Sequence, residues 1–186
     1  LVAFMAAAYA GLMAGPFIAF FRDTGYSEGE VGMVRALNSV GVVAIGFVFG
    51  MYLTRFGAKL VGMLGMTLTG LVAIGVATWG DQPILPVVLM TFSGMTFGSL
   101  RTLYPSIAAQ NSAPNQRAMA LSVVSLYWAI AMLLSPLIFG FIADATSIRT
   151  AMYIFGCFSI SVAMISPLLF ALGRDANLEK TTATQG

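Results

Sequence analysis

Apolar residues run in blocks of about twenty along this chain, separated by short polar breaks. The spacing predicts six transmembrane helices, over 1–21, 31–53, 60–79, 84–104, 118–143 and 150–172. An α-helix rises 1.5 Å per residue, so roughly 20 apolar residues cross the hydrocarbon core of a bilayer. The breaks are Arg22-Asp23-Thr24-Gly25, Thr54-Arg55-Phe56-Gly57, Gly80-Asp81-Gln82-Pro83, Gln110 to Arg117 and Asp144 to Arg149, with a polar tail from Gly173. The apolar blocks show no period-2 alternation and are about twice the length of a barrel strand, which argues against strands. The expectation is an all-α membrane domain over 1–172 and a polar cytoplasmic tail over 173–186.

Composition narrows the choice further. The chain is 59% hydrophobic and 9% charged, with mean hydropathy +0.90, whereas a soluble domain carries roughly a quarter charged residues. The net charge of +2 comes from scattered residues that build no basic stripe, so nucleic-acid binding is set aside. Cys157 stands alone and there is no histidine, so no internal disulfide, His/Cys metal site or cofactor is expected. Leu1 lies inside an apolar run without a basic leader, which predicts no signal peptide and a chain that continues upstream.

Lysine and arginine set the orientation. With residue 1 cytoplasmic, Arg55, Lys59, Arg117, Arg174 and Lys180 lie inside and only Arg22 and Arg149 lie outside, so both ends are expected in the cytoplasm. An internal repeat accompanies this topology. Phe49-Gly50 is followed by Thr54 and Lys59, and Phe139-Gly140 by Asp144 and Arg149, at the same offsets; Pro16 and Pro105 keep nearly the same spacing. Three predicted helices separate the copies, so the second copy faces the opposite side of the membrane. A 3+3 inverted repeat of this kind occurs in secondary transporters, where rocking about a midplane site gives alternating access.

The segment Gly50-x-x-x-Thr54-Arg55-x-Gly57-x-Lys59 resembles the cytoplasmic loop signature of the major facilitator superfamily, with Thr54 standing where the family has an acid. Pro114-x-x-Arg117 and Ser135-Pro136-x-x-x-Gly140 extend the likeness. The family's fold has two halves of six helices each, so the resemblance implies one half of a twelve-helix transporter fold. The missing acid and the polar tail point to the carboxy-terminal half. Physically, Gly50 suits a close helix approach and Gly57 a tight turn, while Arg55 and Lys59 suit helix C-terminal carbonyls or headgroup phosphates. Two basic residues in a cytoplasmic loop also simply satisfy the positive-inside bias.

Ionisable residues inside spans carry more information, because each costs several kcal/mol unless paired or wetted. Arg35 in the second predicted helix and Arg101 in the fourth are the candidates, and no Asp or Glu lies deep in a span. Both arginines suit an anionic solute or acids of the other half, and both are also close enough to span ends to snorkel. Asn38 is one helical turn from Arg35, and Phe97, Arg101 and Tyr104 share a face at i, i+4, i+7 spacing, so Asn38 and Tyr104 join the two arginines as expected substrate-binding or gating residues on the cavity face. Tyr127 and Trp128 lie mid-span, where a pathway role competes with plain helix packing. The resemblance implies that the first and fourth helices line the pathway, the second and fifth flank it, and the third and sixth face lipid. The glycines at 41, 46, 50, 62, 65 and 70 are expected to mark close helix contacts, and Pro16, Pro86, Pro105, Pro136 and Pro167 kinks or helix ends.

These features predict a carrier of a small solute by alternating access. Its partners would be the lipid bilayer and the other six-helix half, and its place, by resemblance, a bacterial cytoplasmic (inner) membrane. The competing class is a transporter-fold assembly or interaction protein without transport, since fold does not dictate function. No nucleophile–base pair or carboxylate dyad appears in the spans, so no enzyme is expected.

Overall fold

The computed structural model describes residues 2–183, the side chains of Ala14 and of 169–183 excepted, and is helical throughout that range apart from short turns. The helices are α1 Val2–Ala14, α2 Pro16–Asp23, α3 Glu28–Trp79, α4 Leu85–Gln110, α5 Arg117–Ala145 and α6 Ile148–Ala183. By length and hydropathy α3, α5 and α6 are each able to cross a membrane, and α1 with α2, bent by 41°, form a further candidate as one broken span. The bend falls at Gly15-Pro16, where Pro16 opens α2 and has no N–H to continue the α1 ladder. Helix α6 continues through the polar stretch from Gly173 as far as Ala183.

Although α3 is continuous by hydrogen bonding, it is broken at Gly57, whose φ of 73° and ψ of 159° are open to glycine and strained for other residues. The two limbs meet α4 in opposite senses. In the first limb Asn38 backs onto Gly94, and Val42 and Ile45 onto Gly98, so residue numbers rise together. In the second, Gly62 faces Leu103, Gly65 faces Leu100 and Gly75 faces Leu89, so they run against each other. The chain therefore reverses at Gly57, and α4 is held between the two limbs.

Glycines set how closely these helices approach. A Cβ at Gly94 would overlap the Asn38 carbonyl, one at Gly41 the Thr91 carbonyl, and one at Gly98 would lie 3.2 Å from the Val42 Cα. On the far side, a Cβ at Gly70 would stand 2.6 Å from the carbonyl oxygen of Gly156, so the second limb and α6 also meet backbone to backbone. Small residues permit this contact where apolar burial gives no net drive between helices in lipid. The expectation of close contacts holds for the glycines at 41, 62, 65 and 70 but not for Gly46 and Gly50, which have nothing within 4 Å of a Cβ position. Both lie on exposed parts of the first limb, away from α4.

Polar links complete the packing. The Ser159 hydroxyl donates to the Met66 carbonyl at 2.7 Å, and Thr69 and Thr96 join the second limb to α4 at 3.1 Å. Charged and polar groups hold one end of the bundle. Arg149 Nη2 reaches both Asp81 oxygens at 2.9 Å, Arg22 pairs with Glu28 at 2.9 Å, and the Tyr26 hydroxyl donates to the Gln82 carbonyl at 2.6 Å. Ser27 and Glu30 form a capping box at the start of α3. Ser27 holds the Glu30 carboxyl below its usual range, so that cap is complete at neutral pH and is lost as pH falls through the depressed value. Burial, then Glu30 and Asp81, raise the Tyr26 phenol.

Candidate functional site

Three sides of α4 are occupied. The first limb of α3 lies along Gly94 and Gly98, the second along Leu89, Leu100 and Leu103, and α1 reaches Ser93 and Phe97 through Tyr9. At about 100° per residue, these neighbours leave two open flanks. One carries Val88 and Phe92, exposed and apolar, with Ser99, Thr102 and Ser106 farther along the helix; the other carries Arg101, between the first limb of α3 and α1.

Arg35 belongs to the same flank as Arg101. On the first limb, Asn38, Gly41, Ile45 and Phe49 turn toward α4, and Arg35 falls to one side of that face. Because the first limb and α4 run parallel, the side on which Arg35 falls is the side on which Arg101 falls on α4. The register separates the two arginines by about 15–20 Å along the helix axes. Both are exposed, and among the described residues neither has an ion-pair partner. Arg35 borders a small apolar crevice with Met13, Phe17 and Met90, which places α1 and α2 beside it.

Aromatic side chains pack behind Arg101. The Trp128 ring lies 5.4 Å from Tyr104 and 6.3 Å from Phe97, and Phe97 lies 5.4 Å from Tyr9. Trp128 is thus packed across α4, and it ties α5 to the helix that carries Arg101. Tyr127 is adjacent in sequence but turned about 100° away and is 59% exposed on α5.

Asn38 is placed differently from its neighbour Arg35. It is 8% exposed, and its amide donates to Ser93 Oγ at 2.7 Å, to the Met90 carbonyl at 3.0 Å and to Tyr9 Oη at 3.3 Å. Tyr9 donates to Ser93, and Ser93 to the Met90 carbonyl at 2.7 Å, so every donor of the cluster finds an acceptor. This network joins α1, α3 and α4. Sequence reasoning singled out Asn38 as a pathway residue rather than as part of this network, and missed Tyr9 and Ser93; the one signal for Tyr9 is a phenol inside an otherwise apolar run rich in alanine. Removing the amide leaves the Tyr9–Ser93–Met90 chain intact. Asn38→Ala is expected to cost about 1–2 kcal/mol, lowering the unfolding temperature in detergent by a few degrees without changing the solute KM. A KM raised tenfold at unchanged stability would place Asn38 in direct contact with solute instead.

The loop-signature residues gather at the opposite end from the Arg149–Asp81 pair. Gly57 makes the turn, Arg55 and Lys59 flank it in exposed positions, and Thr54 donates to the Met51 carbonyl of its own helix at 3.0 Å. Gly50 has open space beside it rather than a second helix. Two larger cavities lie elsewhere. One of about 310 Å³ is lined by Phe4, Leu12, Phe139, Ile154 and Phe158 between α1, α5 and α6; another of about 430 Å³ is lined by Tyr26, Glu30 and Asp81. Among the described residues no group of His, Cys, Asp and Glu is arranged to hold a metal ion.

The model of the Major Facilitator Superfamily matches residues 1–185 of the chain. No curated protein matches it.

Proposed function

The chain belongs to the major facilitator superfamily, and from that premise we propose that it is one six-helix half, the carboxy-terminal one, of a carrier that moves a small anionic solute by rocker-switch alternating access. The family is one of membrane transporters, and the chain is an integral membrane protein. The six-span reading takes α1 with α2 as one span, the two limbs of α3 as two, and α4, α5 and α6 as one each. The reversal at Gly57 supports it, and so does the burial of Phe49 and Phe139, the apolar members of the two repeated Phe-Gly pairs.

The observation that carries the anionic assignment is the shared flank of Arg35 and Arg101. Two guanidinium groups without acids among the described residues occupy one open side of α4, while the other open side carries no charge and exposes Val88 and Phe92. A charge at such depth is costly without water, an acid of the other half or an anionic solute. That flank is assigned to the central pathway between the halves, and Val88 and Phe92 to lipid. Counterflow into proteoliposomes is expected for organic or inorganic anions and not for cations of similar size; uptake confined to cations would exclude the reading.

Topology is tested separately. In the cytoplasmic (inner) membrane of a bacterial host, single cysteines at Lys59 and Arg149 are expected to react with a membrane-impermeant thiol reagent from opposite sides, Lys59 from the cytoplasm. Labelling from the same side would remove both the six-span count and the inverted repeat.

A further inference from the structure

Among the residues whose side chains are described, every acid, namely Asp23, Glu28, Glu30, Asp81 and Asp144, lies at or beside the end where Arg149 meets Asp81, and two of the three basic groups at the Gly57 end flank that turn. At the Gly57 end Arg55, Lys59 and Arg117 are all exposed and have no acidic partner among the described residues. The Arg55 guanidinium lies 5.7 Å from the centre of the exposed Phe56 ring. The stem of Arg55 continues an apolar stripe. Val40, Phe47 and Met51 lie on the side of the first limb turned away from α4, Phe47 being 87% exposed, and Arg55 follows one turn after Met51. The pathway flank with Arg35 lies about a quarter-turn or more from this stripe.

We propose that the Gly57 turn binds one anionic phospholipid, with Arg55 and Lys59 on its phosphate and its acyl chains along Phe47 and Met51. The match is of an amphiphile to an amphipathic surface. Cations sit at the helix end, where headgroups lie, and continuous apolar surface runs from them toward the bilayer centre. The reversed backbone at Gly57 brings Arg55 and Lys59, from two antiparallel limbs, to either side of one headgroup. A juxtamembrane basic residue attracts an anionic headgroup by about fivefold in affinity, so two together exceed roughly tenfold. A guanidinium also forms paired hydrogen bonds to phosphate oxygens.

The full-length protein is exchanged into nanodiscs of phosphatidylcholine with one-fifth phosphatidylglycerol, and retained lipid is counted by native mass spectrometry. Phosphatidylglycerol is expected to be retained above its share of the bilayer. Arg55→Ala with Lys59→Ala should reduce that enrichment about tenfold or more, whereas Arg22→Ala with Arg149→Ala should leave it within twofold. Arg55→Gln with Lys59→Gln, which keeps the side-chain stems, should lose enrichment in the same way, and all variants are compared at equal thermal stability. Excess inorganic phosphate should not displace the lipid; displacement would mean that the site takes a free anion, and the proposal fails. It also fails if the double variants retain phosphatidylglycerol as the unmodified protein does.

Discussion

Arg101→Ala is expected to lower kcat/KM for transport by roughly 10- to 100-fold while membrane insertion and yield stay near normal. A charge-assisted hydrogen bond contributes about 1.5–3 kcal/mol, which sets that range. Stability should change little, because Arg101 is exposed on its flank and no described residue forms an ion pair with it. Arg101→Lys separates charge from geometry. An ammonium keeps the positive field but not the planar fork, so a solute held bidentately should still lose about tenfold. Full activity in the lysine variant would mean that the flank attracts the anion without gripping it. Full activity in a well-folded alanine variant would reduce Arg101 to a snorkelling interfacial residue.

The largest effect on folding is expected at Gly94. Even the single methyl of Gly94→Ala would overlap the backbone carbonyl of Asn38, and a backbone cannot rotate out of the way as a side chain can. The first limb of α3 would have to move off α4. That movement would stretch the Asn38 bonds to Ser93 and to the Met90 carbonyl, now 2.7 and 3.0 Å. The combined cost is expected to exceed about 3 kcal/mol, or on the order of 10 °C in unfolding temperature for a chain of this size. Gly46→Ala is the matched control, because a Cβ there meets nothing within 4 Å and alanine is the better helix former. It should leave the unfolding temperature unchanged or slightly raised. Equal stability of the two variants would show that the α3–α4 contact is looser than described.

Much of the fold was legible because bilayer thickness and hydropathy act on long stretches of chain. The turn at Gly57 and the bend at Pro16 were readable for a local reason, since glycine tolerates positive φ and proline interrupts the helical ladder. Partner-dependent features were not readable. Gly46 and Gly94 have the same side chain in similar apolar surroundings, yet one faces open space and the other a carbonyl, and only the identity of the covering helix separates them. The same limit explains Asn38. Spacing of three from Arg35 puts both residues on neighbouring faces, but not which of those faces α4 would cover. Trp128 shows the same limit, because an aromatic ring mid-span serves a pathway or a helix contact equally well, and its packing against Phe97 and Tyr104 depends on which helix covers it.

Water access to the Arg101 flank tests the central claim most directly. In a full-length protein with Cys157→Ser, single cysteines replace Arg101, Ser39, Phe92 or Phe47, and each is exposed to a small charged thiol reagent in sealed membranes. Ser39 is exposed one turn after Arg35 and donates its hydroxyl to the Arg35 carbonyl at 3.2 Å. Arg101→Cys and Ser39→Cys are expected to react, and the Ser39→Cys rate, with Arg101 in place, changes when transported anion is added. Phe92→Cys and Phe47→Cys should stay unreactive, as expected of side chains assigned to hydrocarbon. Reaction at Phe92 and Phe47 with none at Arg101 and Ser39 would contradict the account, for the aqueous pathway would then lie on the other side of α4.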